Sequence, residues 1–318
     1  MSKNKILGAI FGFCVGDALG VPVEFKSREE LIKEPVTDML GYGTYNQPPG
    51  TWSDDTSLTL CLVESLCNGL NLEDIGEKYV KWYYDSYWTP YNVTFGVGNT
   101  TKEAIRRIFK GVSPKQAGLD DEYSNGNGSL MRVLPLAFYL KDFKDEEKYN
   151  TVHQVSSITH RHLRSILACS IYVEYAINLL KGCSKEEAYK NMKENIINFY
   201  SNTDFRKEFD SYNRILKYDI AKLKEEEIKS SGYVVDTLEA VFWCFLNGDG
   251  YKEVVLKAVN LGNDTDTIAA IAGGLAGIYY GIEAIPKKWI DAVARKNDII
   301  KLVEQFSNSL NINNLNDN

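Results

Sequence analysis

Residues Gly262 to Ile282 read GNDTDTIAAIAGGLAGIYYGI. Ile268, Ile271, Leu275, Ile278 and Ile282 recur at steps of three and four, which places them on one face of an α-helix. The other face is Ala269, Ala270, Ala272, Gly273 and Ala276. A helix that is bulky on one side and nearly bare on the other must be covered on both. Core side chains cover the bulky face, and a closely approaching second helix covers the bare one. The stretch therefore belongs at the centre of a helical protein. Residues 267–285 are nearly uncharged and also suggest a membrane span. Gly and Ala outnumber Leu there, however, and two aspartates stand just upstream, so a buried core helix is expected.

The same period runs through 166–180, with Ile166, Cys169, Val173, Ile177 and Leu180 on one side. Residues 57–67 (SLTLCLVESLC) are apolar most of the way round, which suits a fully buried helix. Residues 1–20 combine lysines with an apolar run, as a signal peptide does. Asp17 interrupts the run and no small-x-small cleavage site follows, so a buried first helix is expected. No stretch shows strand alternation bounded by hairpin turns. Gly/Pro-rich segments at 41–52 and 111–129 read as loops, and the charged runs at 141–148 and 222–229 as solvated faces or connections. There is no repeat of fixed period and no dividing linker. The expectation is an all-α, compact single-domain helical bundle over residues 1–305, with an Asn-rich, frayed tail over 306–318.

Charge and cysteines narrow the partners. Lys and Arg number 36 against 43 Asp and Glu, a net −7, whereas a nucleic-acid binder needs a basic face. Cys14, Cys61, Cys67, Cys169, Cys183 and Cys244 form no C-x-x-C pair and mostly sit among apolar residues. They read as free thiols in a reducing cytoplasm. Neither nucleic acid nor membrane is expected as a partner.

Two segments share one grammar. In GTWSDDTSLTL a glycine-bearing loop leads to Ser53, Asp54, Asp55 and Thr56 and then a buried helix; in GNDTDTIAA another loop leads to Asp264, Asp266 and Thr267. Taken singly, each is a helix N-cap, favourable by roughly 0.5–2 kcal/mol. A cap needs one side chain, and these loops offer four carboxylates. If the two helix starts are neighbours, the charges repel strongly unless a cation lies between them. Carboxylate and hydroxyl oxygens suit Mg²⁺, Mn²⁺ or Ca²⁺ rather than zinc, and so many ligands allow two ions.

Asn125-Gly126-Asn127-Gly128-Ser129 precedes an apolar helical run. Its glycines allow close backbone approach to a ligand, and helix-start N–H groups bind phosphate; standing alone, the motif favours a plain turn with a serine cap. Asp17 and Glu24 are carboxylates in apolar company (GDALGVPVEF). A structural hydrogen bond to backbone suits Asp17, and a functional role suits Glu24, which follows Pro22 on a loop. His160 and His162, two apart, point in different directions on a helix and do not share a zinc site. There is no H-E-x-x-H and no G-x-S-x-G, so serine or cysteine nucleophiles find no support.

Together these motifs resemble the ADP-ribosylglycohydrolases, that is, the ADP-ribosyl-acceptor hydrolases and the dinitrogenase-reductase-activating glycohydrolases. GAIFGFCVGDALGVPVEF, WSDDT, GNGSLMR, THRH and GNDTDTIAAIAGGLAG are similar to that family's motifs, in its order, over roughly residues 5–295. The resemblance implies that Ser53, Asp54, Asp55, Asp264, Asp266 and Thr267 hold two Mg²⁺ ions (Mn²⁺ as an alternative), with Glu24 beside them. It implies that Asn125, Gly126, Asn127, Gly128 and Ser129 cradle the diphosphate of ADP-ribose and that His160 reaches the phosphates or the distal ribose. Two positions depart from the pattern: Ser53 replaces a threonine, and Gly96 in NVTFGVGNTT stands where arginine-specific members carry aspartate.

The function so implied is Mg²⁺-dependent hydrolysis of the glycosidic bond between ADP-ribose and an acceptor, such as an arginine or serine side chain. The substrate is an ADP-ribosylated protein or a small ADP-ribose conjugate. Asp55, Asp266 or Glu24 would take the proton as general base. The alternatives are hydrolysis of another ADP-ribose derivative on the same metal centre, and a non-catalytic ADP-ribose-binding member.

Overall fold

The bare face of the Gly262–Ile282 stretch is covered by the first helix. Lys3–Gly20 carries Gly8, Gly12, Gly16 and Gly20 at intervals of four, all on one side. It lies antiparallel against Thr265–Tyr280, so that Gly8 faces Gly277, Gly12 faces Gly273, Gly16 faces Ala269 and Gly20 faces Asp266. The backbones touch. A Cβ on Gly12 would stand 2.3 Å from the Gly273 carbonyl oxygen, and one on Gly277 would stand 1.9 Å from that of Gly8. Only glycine permits this approach.

These coordinates come from a computed structural model, which describes residues 3–316 and side chains through residue 310. Among the described residues there are sixteen α-helices and short 3₁₀ turns, with isolated β-bridges and no strand. Helices Leu163–Leu180, Val234–Leu246 and Tyr251–Asn260 surround the central pair. Two buried tyrosines tie into its backbone: Tyr251 Oη donates to Gly12 O at 2.7 Å and Tyr172 Oη to Ile271 O at 3.0 Å. Lys3–Val23 and Leu163–Leu180 are apolar and long enough to cross a membrane, and both are buried inside the fold.

The antiparallel pairing positions the site. It brings the C-terminal end of the first helix to the N-terminal end of Thr265–Tyr280, where Thr265 Oγ1 donates to Gly20 O at 2.8 Å. The helix Asp54–Leu66 starts at the same place. Asp17 accepts from the backbone N–H of Ser53 (3.0 and 3.1 Å) and of Thr56 (3.0 Å), and from Thr56 Oγ1 (2.7 Å). Asp17 is thus a cap supplied from another helix, satisfying orphan donors of Asp54–Leu66. Three element ends converge on one spot.

Several sequence expectations need correction. The tail does not fray at 306: helix Lys296–Asn316 runs through it, with Phe306, Ser307 and Leu310 buried. Residues 317–318 lie outside the described residues. The run 141–148 is not wholly solvated, because buried Lys148 pairs with buried Glu174 at 2.6 Å. The 111–129 loop contains a short helix, Pro114–Ala117. The six cysteines form no disulfide, and Cys67 and Cys183 are half-buried rather than fully enclosed.

Candidate active site

The two acidic loops meet. Thr267 Oγ1 donates to Asp55 Oδ2 at 3.2 Å, across the gap between the two helix starts. Ser53 Oγ donates to the same oxygen at 2.9 Å and accepts from Asp55 N at 3.2 Å. Carboxylate oxygens of Asp17, Asp55 and Asp266 lie within 4.8 Å of one another, as do those of Glu24, Asp264 and Asp266. Capping does not account for them. Ser53 performs the cap of its helix, whereas Asp264, at the N-cap position of the other, makes no side-chain cap bond. Its Oδ2 instead accepts from Asn127 Nδ2 at 2.6 Å.

Burial makes this arrangement costly for bare carboxylates. It pushes Asp54, Asp55 and Asp266 well above the usual carboxylate range, with neighbouring acids adding to the effect, and raises Asp264. The same cause lifts Glu24 to about 7 and Asp17 to about 6. Two oxygens, Glu24 Oε2 and Asp55 Oδ1, are buried without any hydrogen-bond partner. Acceptors left bare in this way lack donors or a cation. An all-oxygen cluster of carboxylates and hydroxyls with two orphaned oxygens fits a hard divalent ion. Glu24, Asp264 and Asp266 could hold one such ion, and Asp55 stands within reach of Asp266 beside Ser53 and Thr267.

A cleft of about 510 Å³ opens over these groups. Glu24, Asp54, Asp264, Asp266 and Thr267 line it, facing Gly126, Asn127, Gly128 and His160. Asp55 and Ser53 lie beneath the lining. Gly128 is bare by necessity, since a Cβ there would stand 2.5 Å from Thr101 Oγ1 and 2.8 Å from His160 Cε1, whereas one on Gly126 would make only ordinary contacts. Burial lowers His160 to about 3, so the ring is neutral near pH 7. Its Nδ1 lies 2.8 Å from Thr159 Oγ1. When Thr159 donates there, Nε2–H is left as a donor toward the glycines.

Asn125 and Ser129 do not line the cleft. Ser165 Oγ donates to Asn125 Oδ1 at 3.1 Å and Ser156 Oγ to Ser129 Oγ at 3.0 Å, which turns both side chains into the core to brace the loop. Nor does a long helix follow the glycines. A 3₁₀ turn, Leu130–Arg132, and a six-residue helix, Leu134–Tyr139, take its place, so close backbone approach rather than a helix dipole is what this wall offers a ligand.

Other residues of the site carried weaker signals. Arg132 is fully buried; its Nε donates to Tyr79 Oη at 2.9 Å, one terminal nitrogen to Val155 O at 3.2 Å, and the other to Gly128 O. It fixes the glycine loop from below, and a lone Arg inside an apolar run was the available hint. Thr237 accepts from Asn127 Nδ2 at 2.8 Å. Gly96 lies on the rim with φ +84°, and a Cβ there would stand 2.5 Å from Asp54 Oδ1. A side chain there would be strained by the positive φ and would displace the Asp54 carboxylate.

Known proteins resemble this chain over nearly its whole length. The family model described as ADP-ribosylglycohydrolase matches residues 2–314. The chain belongs to the ADP-ribosylglycohydrolase family. It is 33% identical to the ADP-ribosylarginine hydrolase Tri1 of Serratia proteamaculans (strain 568), over 96% of this chain and 79% of that protein. It is 31% identical to the ADP-ribosyl-[dinitrogen reductase] glycohydrolase of Rhodospirillum rubrum, over 92% and 91%. The ADP-ribosylhydrolase ARH3 of Danio rerio is 26% identical over 91% and 86%. A solved structure titled ADP-ribosylglycohydrolase-related protein complex superposes with a TM-score of 0.80 at 30% identity, covering 97% of this chain and 98% of that one. This ADP-ribosylglycohydrolase is therefore a hydrolytic enzyme with the all-α fold of its family.

Proposed function

We propose that this ADP-ribosylglycohydrolase cleaves, with Mg²⁺, the N-glycosidic bond between ADP-ribose and the guanidino group of a protein arginine. The observation that carries the reading is the pair of orphaned buried oxygens, Glu24 Oε2 and Asp55 Oδ1, inside a carboxylate cluster that opens on a cleft with a bare glycine wall opposite. Two relatives, at 33% and 31% identity, are named ADP-ribosylarginine hydrolase, and their names favour arginine. Manganese is the alternative ion. The carboxylates hold the cation, which when bound supplies charge stabilisation and lowers the pKa of water. Gly126, Asn127 and Gly128 take the diphosphate by backbone approach, with His160 as a neutral hydrogen-bonding group. The distal ribose is thereby oriented with C1″ toward the carboxylates. Of the three candidate proton acceptors, Glu24 and Asp266 line the cleft, whereas Asp55 lies below the lining. Products are ADP-ribose and a free guanidine. The six unbridged thiols suit a cytoplasmic protein.

Gly96 favours a second reading. Without a rim carboxylate at that position, a hydroxyl-linked acceptor such as serine is admitted as readily. ADP-ribose release from arginine- and serine-linked peptides, with Mg²⁺ or EDTA and with Asp264→Asn, decides between them. Metal-dependent release from the arginine-linked peptide alone, lost in the variant, is expected. Release from the serine-linked peptide alone would replace the first reading with the second, and release in EDTA would sink both.

A further inference from the structure

Phe25 occupies a position no phenylalanine adopts without cause. Its backbone is left-handed, φ +69°, where a bulky side chain is an outlier. Its ring is 71% exposed and lines the cleft. The surroundings over-determine the backbone. Phe25 N donates to Asn263 O at 2.7 Å and Asn263 N to Lys26 O at 2.7 Å, with Asn263 itself at φ +61°. Arg28 ties the segment down through the carbonyls of Leu261 (3.0 Å), Glu225 (2.7 Å) and Ile228 (2.6 Å). Glycine or asparagine would hold the same turn with less strain and expose no apolar ring. Tyr42 and Trp88 share a positive φ, but Phe25 alone of the three lines the cleft, where its exposed ring is placed to meet a ligand.

Its place in the cleft says what. Phe25 follows Glu24, and its ladder partner Asn263 precedes Asp264, so both backbone neighbours are carboxylates of the reacting end. The glycine loop lines the same cleft and abuts the acids, Asn127 Nδ2 donating to Asp264 Oδ2 at 2.6 Å. In the binding mode proposed above, ADP-ribose with its diphosphate on the glycine loop and C1″ over the carboxylates would have its adenine beyond the diphosphate and its leaving group beside Phe25. Gly96, without a side chain, leaves room on the same rim. A guanidinium is planar and cationic and stacks on an aromatic face.

We propose that Phe25 is an acceptor clamp: its ring stacks on the guanidinium joined to ADP-ribose and holds the scissile bond over the carboxylates. This rests on the arginine reading above. The test compares wild type with Phe25→Leu, Phe25→Asn and Phe25→Tyr in three measurements. In steady-state hydrolysis of an arginine-linked ADP-ribosyl peptide with Mg²⁺, KM rises about tenfold in Leu and Asn, kcat changes little, and Tyr restores KM. Calorimetric affinity for free ADP-ribose, which lacks the acceptor, stays within about twofold of wild type. Phe25→Asn melts no lower than wild type, because the left-handed turn suits it. An unchanged KM in Phe25→Leu overturns the proposal, and so does an equal loss of ADP-ribose affinity, which would put the ring on the nucleotide. Fluorescence anisotropy of the same peptide in EDTA keeps the clamp separable from the chemistry. If wild type fails to cleave but binds the peptide in a Phe25-dependent way, the function reading falls and the clamp stands. Binding indifferent to Phe25 overturns the clamp.

Discussion

Glu24 shows at the residue scale why this site asks for a cation. Burial raises its carboxyl to about 7, against 4.5 for an ordinary glutamate. Between those values the folded chain holds a proton that the unfolded chain has released. Stability contributed by the neutral form is present below pH 4.5 and lost as pH rises through about 7. Asp17, raised to about 6, acts in the same direction. His153 acts oppositely: burial lowers it from 6.5 to about 4, so its contribution is lost as pH falls through that window. Above pH 6.5 the carboxylates dominate. The melting temperature in EDTA is expected to fall from pH 6.5 to 8, and saturating Mg²⁺ is expected to flatten that slope. Glu24→Gln removes one buried charge without changing shape. At pH 8 in EDTA it is expected to melt above wild type, while its stabilisation by Mg²⁺ shrinks. A variant that melts below wild type in EDTA and keeps the full Mg²⁺ shift would show that Glu24 faces no cation.

At the scale of elements, the contact between Lys3–Gly20 and Thr265–Tyr280 decides where the site forms. Replacing a helical glycine by alanine usually stabilises a helix by up to about 1 kcal/mol. Gly12→Ala is expected to do the reverse. Its Cβ would stand 2.3 Å from the Gly273 carbonyl oxygen, and overpacking of this kind costs roughly 1–3 kcal/mol or more. Denaturant midpoints measure the net sign, and activity falls with stability because the same contact aligns Asp17 and Glu24 with Asp266. One partner of this pair was legible in the sequence, as the Gly/Ala face of residues 265–280. The other, Gly8, Gly12, Gly16 and Gly20, has the same spacing, but apolar neighbours all round the first helix concealed the stripe. The tail misled for a related reason: Asn-rich composition suggested fraying, while Phe306 and Leu310, four apart, bury on one face of Lys296–Asn316. Truncation after Gln305 is expected to lower stability by several kcal/mol, at about 1.5–3 per buried side chain. An unchanged melting temperature would mean that the last turns of this helix hold nothing.

For the whole molecule, the separation of the parts matters most. Groups at 17–24, 53–56, 126–128, 160 and 264–267 come from distant stretches of chain and meet only in the finished fold. Residue types at the acidic loops were readable because each needs oxygen ligands next to a buried helix. Their convergence was not readable, since it depends on which helix covers which. Asn125 and Ser129 illustrate the limit: the motif marks the loop, but only packing shows that their side chains face inward and that Arg132 braces the loop from beneath. A cation bound at the cluster would join the ends of three helices and would stabilise the folded state by mass action, about 2.7 kcal/mol at one hundred times its dissociation constant. Because the ends belong to one packed unit, the protection is expected to spread. Hydrogen exchange with and without Mg²⁺ should slow together in the backbone of residues 14–24, 53–60 and 263–270, while helix Lys185–Tyr200, remote from the cleft, follows only global unfolding. Slowing confined to 53–60 would mean that the ion bridges Asp54 and Asp55 alone and that the loops meet without sharing it.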